Sequence, residues 1–534
     1  MRSPDDRATT LQDRATARRS PGIDTQHMTH NTDLTVDVPA YDKDIDAFDL
    51  APAGGWNALF VDGEWVSAGD RDTIDIVNPA TQDSIGAVPA GTEAGVDEAY
   101  AAAEAAQSEW AARPPQARAE IVENARHLLD DYHDELIELF AVECGGIRLK
   151  GEIELDLVRN MMRMSEGLPF QLNGGHKAAT IPGKESLIRR EPLGVVGAIT
   201  PWNFPLHLSM RVVAPALALG NAVVLKPAEE TSLLGGLVFA RLFEEAGLPD
   251  GLLNVVTGHG AEVGDYMSRH STPGLISFTG STEVGRQVGQ NAVGQFTYPS
   301  LELGGNNAHI VTDDADLDRA VDGGVFGSFT HQGQECISIN RHLVHESLYD
   351  EYVDRLAARA EELPVGDPSA EETIVGPVIK PEQRDKIVDF IEDSLAAGAT
   401  LEAGGGHDGL FVEPTVLSDA TNDMPAACNE HFGPVAPVIP FETDEEAVAM
   451  ANDTEHGLSG SVHSTDLQRA KDIAEALDTG MVHINDQSLN DEAHTPFGGV
   501  NASGLGRYNG EWIMDELTQT KWISIQREPR DYPY

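Results

Sequence analysis

Cysteine is scarce in this chain, with three residues among 534: Cys144, Cys336 and Cys428. No two of them form a Cys-x-x-Cys pair, and three cysteines cannot all be joined in disulfides, so neither a disulfide framework nor a zinc knuckle is expected. The sequence therefore predicts no metal centre. The same scarcity favours a reducing compartment, and we expect a cytoplasmic protein.

Basic residues are also few. Lys and Arg number 36 against 88 Asp and Glu, which gives a formal net charge of −52 at pH 7. A surface of this sign repels nucleic acid and anionic membranes, so neither is an expected partner. The acids are spread along the whole chain rather than held in a tail, a pattern that we interpret as adaptation to a salt-rich, halophilic cytoplasm.

We predict that the protein loses activity or structure at low salt. At molar salt the Debye length falls to about 3 Å, which screens the mutual repulsion of the acidic surface. In dilute buffer that repulsion destabilises the compact state. The measurements are activity and unfolding temperature along a KCl titration, and full activity without added salt would contradict the prediction.

Long hydrophobic runs are absent as well. The most apolar region, residues 194–225, is interrupted by Pro201, Pro205, Arg211 and Pro215, so it falls short of the roughly 20 apolar residues of a membrane span. The N-terminus has no apolar core of the kind that signal peptides contain. Residues 1–53 are polar and unpatterned, and we expect a disordered extension in which Met28 is an alternative start.

What the chain does contain is a regular alternation of short apolar runs and helix-length segments. The runs are residues 194–199, 222–225, 252–256, 275–278 and 300–303. This alternation predicts βαβ units around a buried parallel sheet. Each run ends in a turn rich in Pro, Gly, Asn or small polar residues. These turns should converge at the carboxyl edge of the sheet, where α/β proteins bind their ligands.

A second α/β region follows from residue 308 to residue 485. Two strand-like segments, residues 186–190 and 521–525, have no neighbouring strand in the sequence to pair with. They form either an arm that adds to a partner subunit or a pair within the monomer.

One cysteine and one glutamate, each at a glycine-marked turn, are candidates for a nucleophile and a base. Cys336 ends the stretch Gly333-Gln334-Glu335-Cys336, and Glu302 lies upstream in Leu-Glu-Leu-Gly-Gly. Only the thiolate form of a cysteine attacks carbon, and a base within reach would supply that form. A solitary cysteine is more often a small buried apolar residue, so this pair alone is weak evidence.

Two of the turns have features of a nucleotide site. Gly280 and Ser281 precede a predicted helix, whose positive end can face a phosphate, although no Gly-x-Gly-x-x-Gly pattern occurs there and an ordinary βα turn is the alternative. Lys226 and Glu229 follow another run and could hold the hydroxyls of an adenosine ribose, or could form a solvated ion pair. A carboxylate there would repel a ribose 2′-phosphate, which favours NAD over NADP.

Together, a set of motifs in this order resembles the NAD(P)-dependent aldehyde dehydrogenase superfamily over roughly residues 55–527. They are Pro201-Trp202-Asn203-Phe204-Pro205, Lys226-Pro227-Ala228-Glu229, Phe278-Thr279-Gly280-Ser281-Thr282-Glu283-Val284-Gly285, Leu301-Glu302-Leu303-Gly304-Gly305, Gly333-Gln334-Glu335-Cys336, Glu430-His431-Phe432-Gly433-Pro434 and Pro496-Phe497-Gly498-Gly499. The implied fold is α/β and aldehyde dehydrogenase-like. It comprises a Rossmann-type NAD-binding domain (54–175 and 192–304), an α/β catalytic domain (305–502), and a bridging β-element (176–191 and 503–534) that builds a homodimer or homotetramer.

The resemblance implies that Cys336 attacks the aldehyde, that the Asn203 amide and the Cys336 N–H hold the oxyanion, and that Glu302 activates the water that releases a carboxylic acid. The implied cofactor is NAD, with NADP as the alternative. The implied cofactor-binding residues are Thr200, Pro201, Trp202, Lys226, Glu229, Gly260, Gly264, Gly280, Ser281, Gly304, Glu430 and Phe432.

Some positions depart from the commonest pattern of the family. His331 stands where Asn is frequent, His456 where Tyr is frequent, and Asn501 where Lys is frequent. His331, together with residues 205–209 and 485–492, resembles the benzaldehyde, salicylaldehyde and vanillin dehydrogenase branch, which implies an aromatic aldehyde as substrate. The alternatives are an aliphatic or semialdehyde dehydrogenase and, in a different class, a catalytically silent NAD-binding scaffold.

Overall fold

The computed structural model describes residues 34–534, and the first part of the expected extension, residues 1–33, lies outside the described residues. The strands are β1 (Ala58–Val61), β2 (Glu64–Ser67), β3 (Thr73–Val77), β4 (Ser84–Pro89), β5 (Gly175–Ala178), β6 (Lys184–Pro192), β7 (Val195–Ile199), β8 (Ala222–Lys226), β9 (Leu253–Val255), β10 (Leu275–Thr279), β11 (Tyr298–Glu302), β12 (Asn307–Val311), β13 (Ile339–His345), β14 (Thr400–Ala403), β15 (His407–Asp408), β16 (Phe411–Val412), β17 (Thr415–Ser418), β18 (Val435–Phe441), β19 (Gly460–His463), β20 (His483–Ile484), β21 (Gly504–Leu505) and β22 (Thr518–Gln526).

The α-helices cover the two larger sheets and fill the connections between their strands. They are α1 (Glu93–Ala112), α2 (Pro115–Asp131), α3 (His133–Cys144), α4 (Arg148–Gly167), α5 (Pro205–Ala218), α6 (Val238–Glu245), α7 (Asp265–Ser268), α8 (Thr282–Gly294), α9 (Leu317–Phe329), α10 (Tyr349–Glu361), α11 (Pro381–Ala397), α12 (Pro425–Cys428), α13 (Asp444–Asn452), α14 (Leu467–Glu475) and α15 (Ile513–Leu517). No helix within residues 34–534 has the length and hydropathy that a membrane crossing requires.

The first sheet has eight strands in the order β2-β1-β9-β8-β7-β10-β11-β21. Its central strands, from β9 to β11, run parallel, and β1 and β21 flank them in antiparallel pairing. By their sequence in the chain the central strands stand in the order 3-2-1-4-5, as in a Rossmann fold. The strand order reverses between β7 and β10, which opens a crevice at their carboxyl ends.

The apolar runs of this region become fully buried strands. Every residue of β7 and β8 is buried, and so is every residue of α5, the helix that follows β7. A parallel sheet covered by helices on both faces leaves no solvent-facing positions, so its strands are apolar throughout instead of alternating. Pro205 occupies the first turn of α5, where its missing N–H leaves no hydrogen bond unmade.

The second sheet has seven strands in the order β14-β17-β18-β13-β12-β19-β20. All neighbours from β17 to β20 pair in parallel, and β14 is antiparallel to β17. This sheet lies within residues 305–502, the range predicted for the catalytic domain. The chain passes from the end of β11 in the first sheet to β12 in the second over a few residues, so Glu302 lies beside the junction of the two sheets.

The two strand-like segments without local partners pair with each other. Strand β22 runs antiparallel to β6 from Thr518, opposite Pro192, to Gln526, opposite Lys184, and β5 completes a three-stranded sheet. Of the two alternatives that the sequence left open, pairing within the chain is the one observed. The segment 503–534 also supplies β21 to the edge of the first sheet, so it does not belong to the bridging element alone.

The prediction of disorder is wrong for residues 34–53. Ile45 and Leu50 are buried, and the two carboxylate oxygens of Glu135 each accept a backbone N–H, from Asp49 and Leu50, at 2.9 Å. Two isolated apolar side chains in a polar stretch produce no periodic pattern, and their partners lie far away in the sequence. The sequence therefore contains no local signal for this packing.

Candidate active site

The turn before Cys336 has an unusual backbone. His331, Gln332 and Gly333 have φ angles of 46°, 56° and 66°, three successive residues in the left-handed region. A Cβ atom on Gly333 would lie 2.2 Å from the carbonyl oxygen of Gly433, so no other residue fits there. The two non-glycine residues carry backbone strain, and their complete burial holds them in place.

Side-chain amides anchor the strained turn to both sheets. The Nδ2 atom of Asn307, at the start of β12, donates to the carbonyl oxygen of Cys336 at 2.9 Å. The Nδ2 atom of Asn203, beyond the end of β7, donates to the carbonyl oxygen of Gln334 at 2.9 Å. An amide nitrogen has two hydrogens, so Asn203 keeps one donor for another acceptor close to Cys336.

Glu302 is the last residue of β11 and is 3 % exposed. Neither of its carboxylate oxygens has a hydrogen-bond partner among residues 34–534. Burial raises the pKa of Glu302 well above its usual range, and the positive charges of Arg211 and Arg507 oppose this shift only in part. A carboxylate whose oxygens are free and whose pKa is raised is suited to accept a proton.

The thiol of Cys336 needs such a base. Burial raises the pKa of Cys336, and the nearby carboxylates of Glu430, Glu302 and Glu335 raise it further, while Arg211 opposes them. The thiol is therefore protonated at neutral pH, and a neighbouring group has to take its proton before it can act as a nucleophile. Glu302 lines the same cavity as Cys336.

That cavity has a volume of about 180 Å³ and collects most of the residues predicted for the site. Those on its wall are Pro201, Trp202, Asn203, Gly280, Ser281, Glu302, Gly304, Cys336, Glu430 and Phe432. Most come from the ends of β7, β10 and β11, which is the convergence that the parallel-sheet pattern predicts, and Cys336, Glu430 and Phe432 come from the segments that precede β13 and β18.

The residues around this cavity fit a dinucleotide. Ser281 caps the N-terminus of α8, its Oγ accepting the N–H of Val284 at 3.4 Å, so the positive end of that helix faces the cavity. Glu430 accepts the N–H of Gly305 at 2.9 Å and lies so close to Gly304 that a Cβ there would come within 2.5 Å of its Oε2. A capped helix N-terminus and a buried carboxylate thus both lie at this cavity.

Four of the predicted cofactor residues form a separate cluster at the end of β8. Glu229 accepts the N–H of Gly260 at 2.7 Å, its other oxygen is 2.6 Å from the Nδ1 of His259, and a Cβ on Gly264 would lie 3.5 Å from the Cδ of Lys226. Burial lowers the pKa of Lys226 to about 8, although the negative charges of the neighbouring glutamates act to raise it.

Thr200 belongs to neither group. It is buried, its hydroxyl accepts a hydrogen bond from Ser209 Oγ at 2.8 Å, and its N–H donates to the carbonyl oxygen of Lys226 at 3.1 Å. These contacts hold the end of β7 against α5 and β8.

A second cavity, also of about 180 Å³, lies on the other side of Cys336. Its apolar wall consists of Ile153, Leu157, Phe204, Leu208, Phe326, Ile337, Leu489 and Phe497. Charged or titratable side chains reach the same cavity, namely Lys150, His207, Arg211, Glu335 and Asp491. Cys336 and Asn203 line both cavities, so the thiol stands where they meet.

Sequence reasoning assigned no role to the charged residues of this second cavity. Arg211 forms an ion pair with Asp491, and the Nε2 of His207 lies 2.8 Å from the same carboxylate. The guanidinium carbon of Arg211 also lies 4.0 Å from the ring centre of Phe497. Although burial opposes ionisation, Arg211 and His207 hold the pKa of Asp491 well below its usual range. Arg211 and Asp491 are 280 residues apart, so no local pattern could reveal the pair.

A Rossmann-type sheet, with a partly buried thiol and a buried carboxylate at one cavity and a second, largely apolar cavity beside the same thiol, is typical of a thiol-dependent oxidoreductase. Comparison with known proteins makes the assignment specific. Residues 65–523 match the model of the aldehyde dehydrogenase family, and the chain belongs to that family.

Relatives and solved structures agree with this assignment. The chain is 46 % identical to a benzaldehyde dehydrogenase of Bacillus subtilis over 90 % of this chain and 99 % of the relative. It is 45 % identical to a vanillin dehydrogenase of Corynebacterium glutamicum over 88 % of this chain and 97 % of the relative. The crystal structure of betaine aldehyde dehydrogenase from Staphylococcus aureus in complex with NAD⁺ superposes with a TM-score of 0.86 at 36 % identity, covering 89 % of this chain and 95 % of that one.

The chain is therefore an NAD-dependent aldehyde dehydrogenase, and the predicted fold class, enzyme class and cofactor are confirmed.

Proposed function

We propose that this enzyme oxidises an aromatic aldehyde to the carboxylic acid, with Cys336 as nucleophile, Glu302 as base and Asn203 as oxyanion donor. The observation that carries the proposal is the position of Cys336, between a cavity fitted for a dinucleotide and a second cavity whose wall is largely apolar and partly aromatic. A planar ring in the second cavity can present its aldehyde carbon to the thiol while the cofactor approaches from the other side.

Each residue has a distinct task in this scheme. Glu302 takes the proton of Cys336, and the thiolate adds to the aldehyde carbon to form a thiohemiacetal. The oxyanion accepts the remaining Nδ2 hydrogen of Asn203 and the backbone N–H of Cys336. When bound, NAD would supply the hydride acceptor, and loss of a hydride from the thiohemiacetal would leave a thioester on Cys336. Glu302 then passes the proton it took from Cys336 to solvent, and as a carboxylate again it activates the water that hydrolyses the thioester and frees Cys336.

Asn203→Ala should lower kcat by roughly 10²–10³-fold, because removal of one oxyanion donor has that effect in other enzymes with this kind of site. The measurement is steady-state NADH formation, with the substrate KM expected to change much less than kcat. Asn490→Ala is the matched control, since Asn490 is another amide on the wall of the apolar cavity. An equal loss of kcat in both variants would contradict the assignment of Asn203 as an oxyanion donor.

The proposed cofactor contacts follow from the two clusters. Glu430 would hold the nicotinamide ribose, Gly280 and Ser281 the pyrophosphate, and Lys226 and Glu229 the adenosine ribose. The carboxylate of Glu229 is held by His259 and Gly260 instead of extending freely into solvent, so it would meet a 2′-phosphate directly. This supports a preference for NAD over NADP.

Glu229→Ala should raise the ratio of kcat/KM for NADP to kcat/KM for NAD by roughly tenfold or more, because it removes a negative charge beside the ribose. Glu230→Ala is the matched control: this neighbouring carboxylate pairs with Lys380 and should leave the ratio unchanged. The measurement is initial rate against cofactor concentration at fixed salt. A ratio that stays the same in Glu229→Ala would contradict the assignment of this cluster to the adenosine end.

Three features support an aromatic substrate. Phe204, Phe326 and Phe497 supply ring faces and edges to the second cavity, which suit stacking against another ring. The Arg211 charge is paired with Asp491, so it attracts a substrate carboxylate less than a free arginine would. Relatives at 45–46 % identity are named for benzaldehyde and vanillin.

A semialdehyde is the second candidate, because one observation favours it. The Nε and Nη1 atoms of Arg211 are buried without hydrogen-bond partners among the described residues, and they could bind the terminal carboxylate of such a substrate. One relative, 37 % identical, is named a glutarate-semialdehyde dehydrogenase.

The test is NADH formation in molar KCl with benzaldehyde, succinic semialdehyde and a short aliphatic aldehyde, each with wild type and Cys336→Ala. The highest kcat/KM with benzaldehyde, in wild type alone, would support the proposal. A clear preference for succinic semialdehyde would leave the proposed catalytic roles intact, but it would replace the aromatic substrate by one whose carboxylate binds Arg211. Silence with every aldehyde despite NAD binding would support the scaffold alternative.

We also propose that the enzyme assembles as a homodimer or homotetramer and that it works in the salt-rich cytoplasm of a halophile. Within residues 34–534 the outer edges of β5 and β22 have no strand partner, and Trp522 on β22 is 64 % exposed. An unprotected edge of this kind is suited to extend a sheet of a second copy. Light scattering in high salt, with Trp522→Lys as the variant, tests the assembly.

A further inference from the structure

Glu335 is a buried carboxyl that has no task in the scheme above. It immediately precedes the nucleophile, is 6 % exposed and lines the apolar cavity. Its Oε1 has no hydrogen-bond partner among residues 34–534. A buried polar atom without a partner destabilises the protein, so its presence beside Cys336 calls for an explanation from function.

The other charges of this cavity are already compensated. Lys150 forms a buried ion pair with Glu154, and Arg211 forms one with Asp491. Glu335 therefore remains as the carboxyl that is free to bind a substrate. Burial raises the pKa of Glu335 to about 8, with Lys150 opposing the shift, so at neutral pH its carboxyl group is largely protonated. A protonated carboxyl both donates and accepts a hydrogen bond.

The fold does not depend on this side chain in any visible way. The turn at the nucleophile is closed by main-chain contacts, including the N–H of Ser338, which donates to the backbone carbonyl of Glu335 at 3.1 Å. The amides of Asn203 and Asn307 hold the backbone on either side of it. A purely structural role would be expected to leave the carboxyl oxygens paired with the protein.

We propose that Glu335 is a specificity-determining residue that hydrogen-bonds a hydroxyl substituent on the ring of the substrate, so that the enzyme selects hydroxylated aromatic aldehydes over benzaldehyde itself. A phenolic hydroxyl both donates and accepts, which matches what Glu335 offers. A bare ring leaves Oε1 unpaired, and sites built around a buried polar group discriminate against analogues that lack its partner. This inference rests on the proposed function, because it presumes an aromatic ring in the cavity.

The experiment compares kcat/KM for benzaldehyde with that for 2-, 3- and 4-hydroxybenzaldehyde in wild type, Glu335→Gln and Glu335→Leu. Wild type should prefer at least one hydroxybenzaldehyde. In Glu335→Leu, kcat/KM for the preferred hydroxybenzaldehyde, divided by kcat/KM for benzaldehyde, should fall by about tenfold. This is the factor that corresponds to the loss of one well-made hydrogen bond. Glu335→Gln, whose amide also donates and accepts, should retain the ratio within about threefold.

Glu361→Leu, at the exposed end of α10, controls for the loss of one acidic side chain. If Glu335→Leu lowers kcat/KM equally for all four aldehydes, the residue acts on the fold or on Cys336, and the inference is overturned while the proposed function stands. If wild type oxidises no aromatic aldehyde, both are overturned. If Glu335→Leu fails to fold, Glu335→Ala, with its smaller side chain, replaces it. The same ratio of kcat/KM values in Glu335→Ala as in wild type would then overturn the inference.

Discussion

Replacement of Cys336 by alanine is expected to abolish aldehyde oxidation, with kcat reduced by about 10⁴-fold or more, the scale of loss when a nucleophile is removed. Without the thiol no covalent intermediate forms, and hydride would have to leave a hydrated aldehyde that nothing holds in place. NAD binding should persist, because the helix end at Gly280 and Ser281 and the carboxylate of Glu430 remain. The measurements are NADH formation at saturating substrate and NAD binding by calorimetry.

The chain provides its own matched control for this variant. Cys428 is an exposed free cysteine at the end of α12, whereas Cys336 is partly buried at the cavity wall. Cys428→Ala should therefore keep the activity of wild type. Substantial oxidation by Cys336→Ala would mean that the nucleophile has been assigned wrongly, and equal losses in both variants would point to a general effect of thiol removal.

Replacement of Glu302 by glutamine is expected to lower steady-state kcat by roughly 10²–10⁴-fold, the usual contribution of a general base. Glutamine has nearly the same shape but cannot accept the proton of water. If Glu302 acts mainly in hydrolysis, the variant should release one equivalent of NADH per site rapidly and then stall. Mass spectrometry should then detect an acyl group on Cys336.

The direction of the pH dependence follows from burial. Glu302 works as a base only when it is ionised, and its pKa is raised well above the usual range of a glutamate. The rate of wild type should therefore increase with pH as Glu302 loses its proton, over a higher pH range than a solvent-exposed glutamate would give. Glu302→Gln should lose this limb of the pH profile.

A variant without the rapid first release of NADH would change the interpretation. It would mean that Glu302 is also needed to deprotonate Cys336, whose thiol pKa is raised by burial and by nearby carboxylates. Glu516→Gln is a useful comparison, because Glu516 also contributes to the negative surroundings of Glu302 without lining either cavity. It should show a much smaller loss than Glu302→Gln.

The proposed nucleophile, base and oxyanion donor can be located in the amino-acid sequence, because each belongs to a short motif. Cys336 follows the strained turn that Gly333 permits, and Glu302 ends a strand that leads directly into Gly304 and Gly305. Such constraints act over a few residues, so they are visible as short motifs in the sequence. The same holds for the parallel sheet, whose fully buried strands appear as unbroken apolar runs.

The sequence by itself thus determined the fold class, the enzyme class and the cofactor. Only the tertiary structure decided what surrounds Cys336. Arg211 meets Asp491 across 280 residues, Ile45 and Leu50 pack in a stretch whose composition indicates disorder, and the buried Oε1 of Glu335 has no hydrogen-bond partner among residues 34–534. The physical reason is that burial and pairing depend on which distant surfaces meet. Those contacts leave no periodicity or motif along the chain.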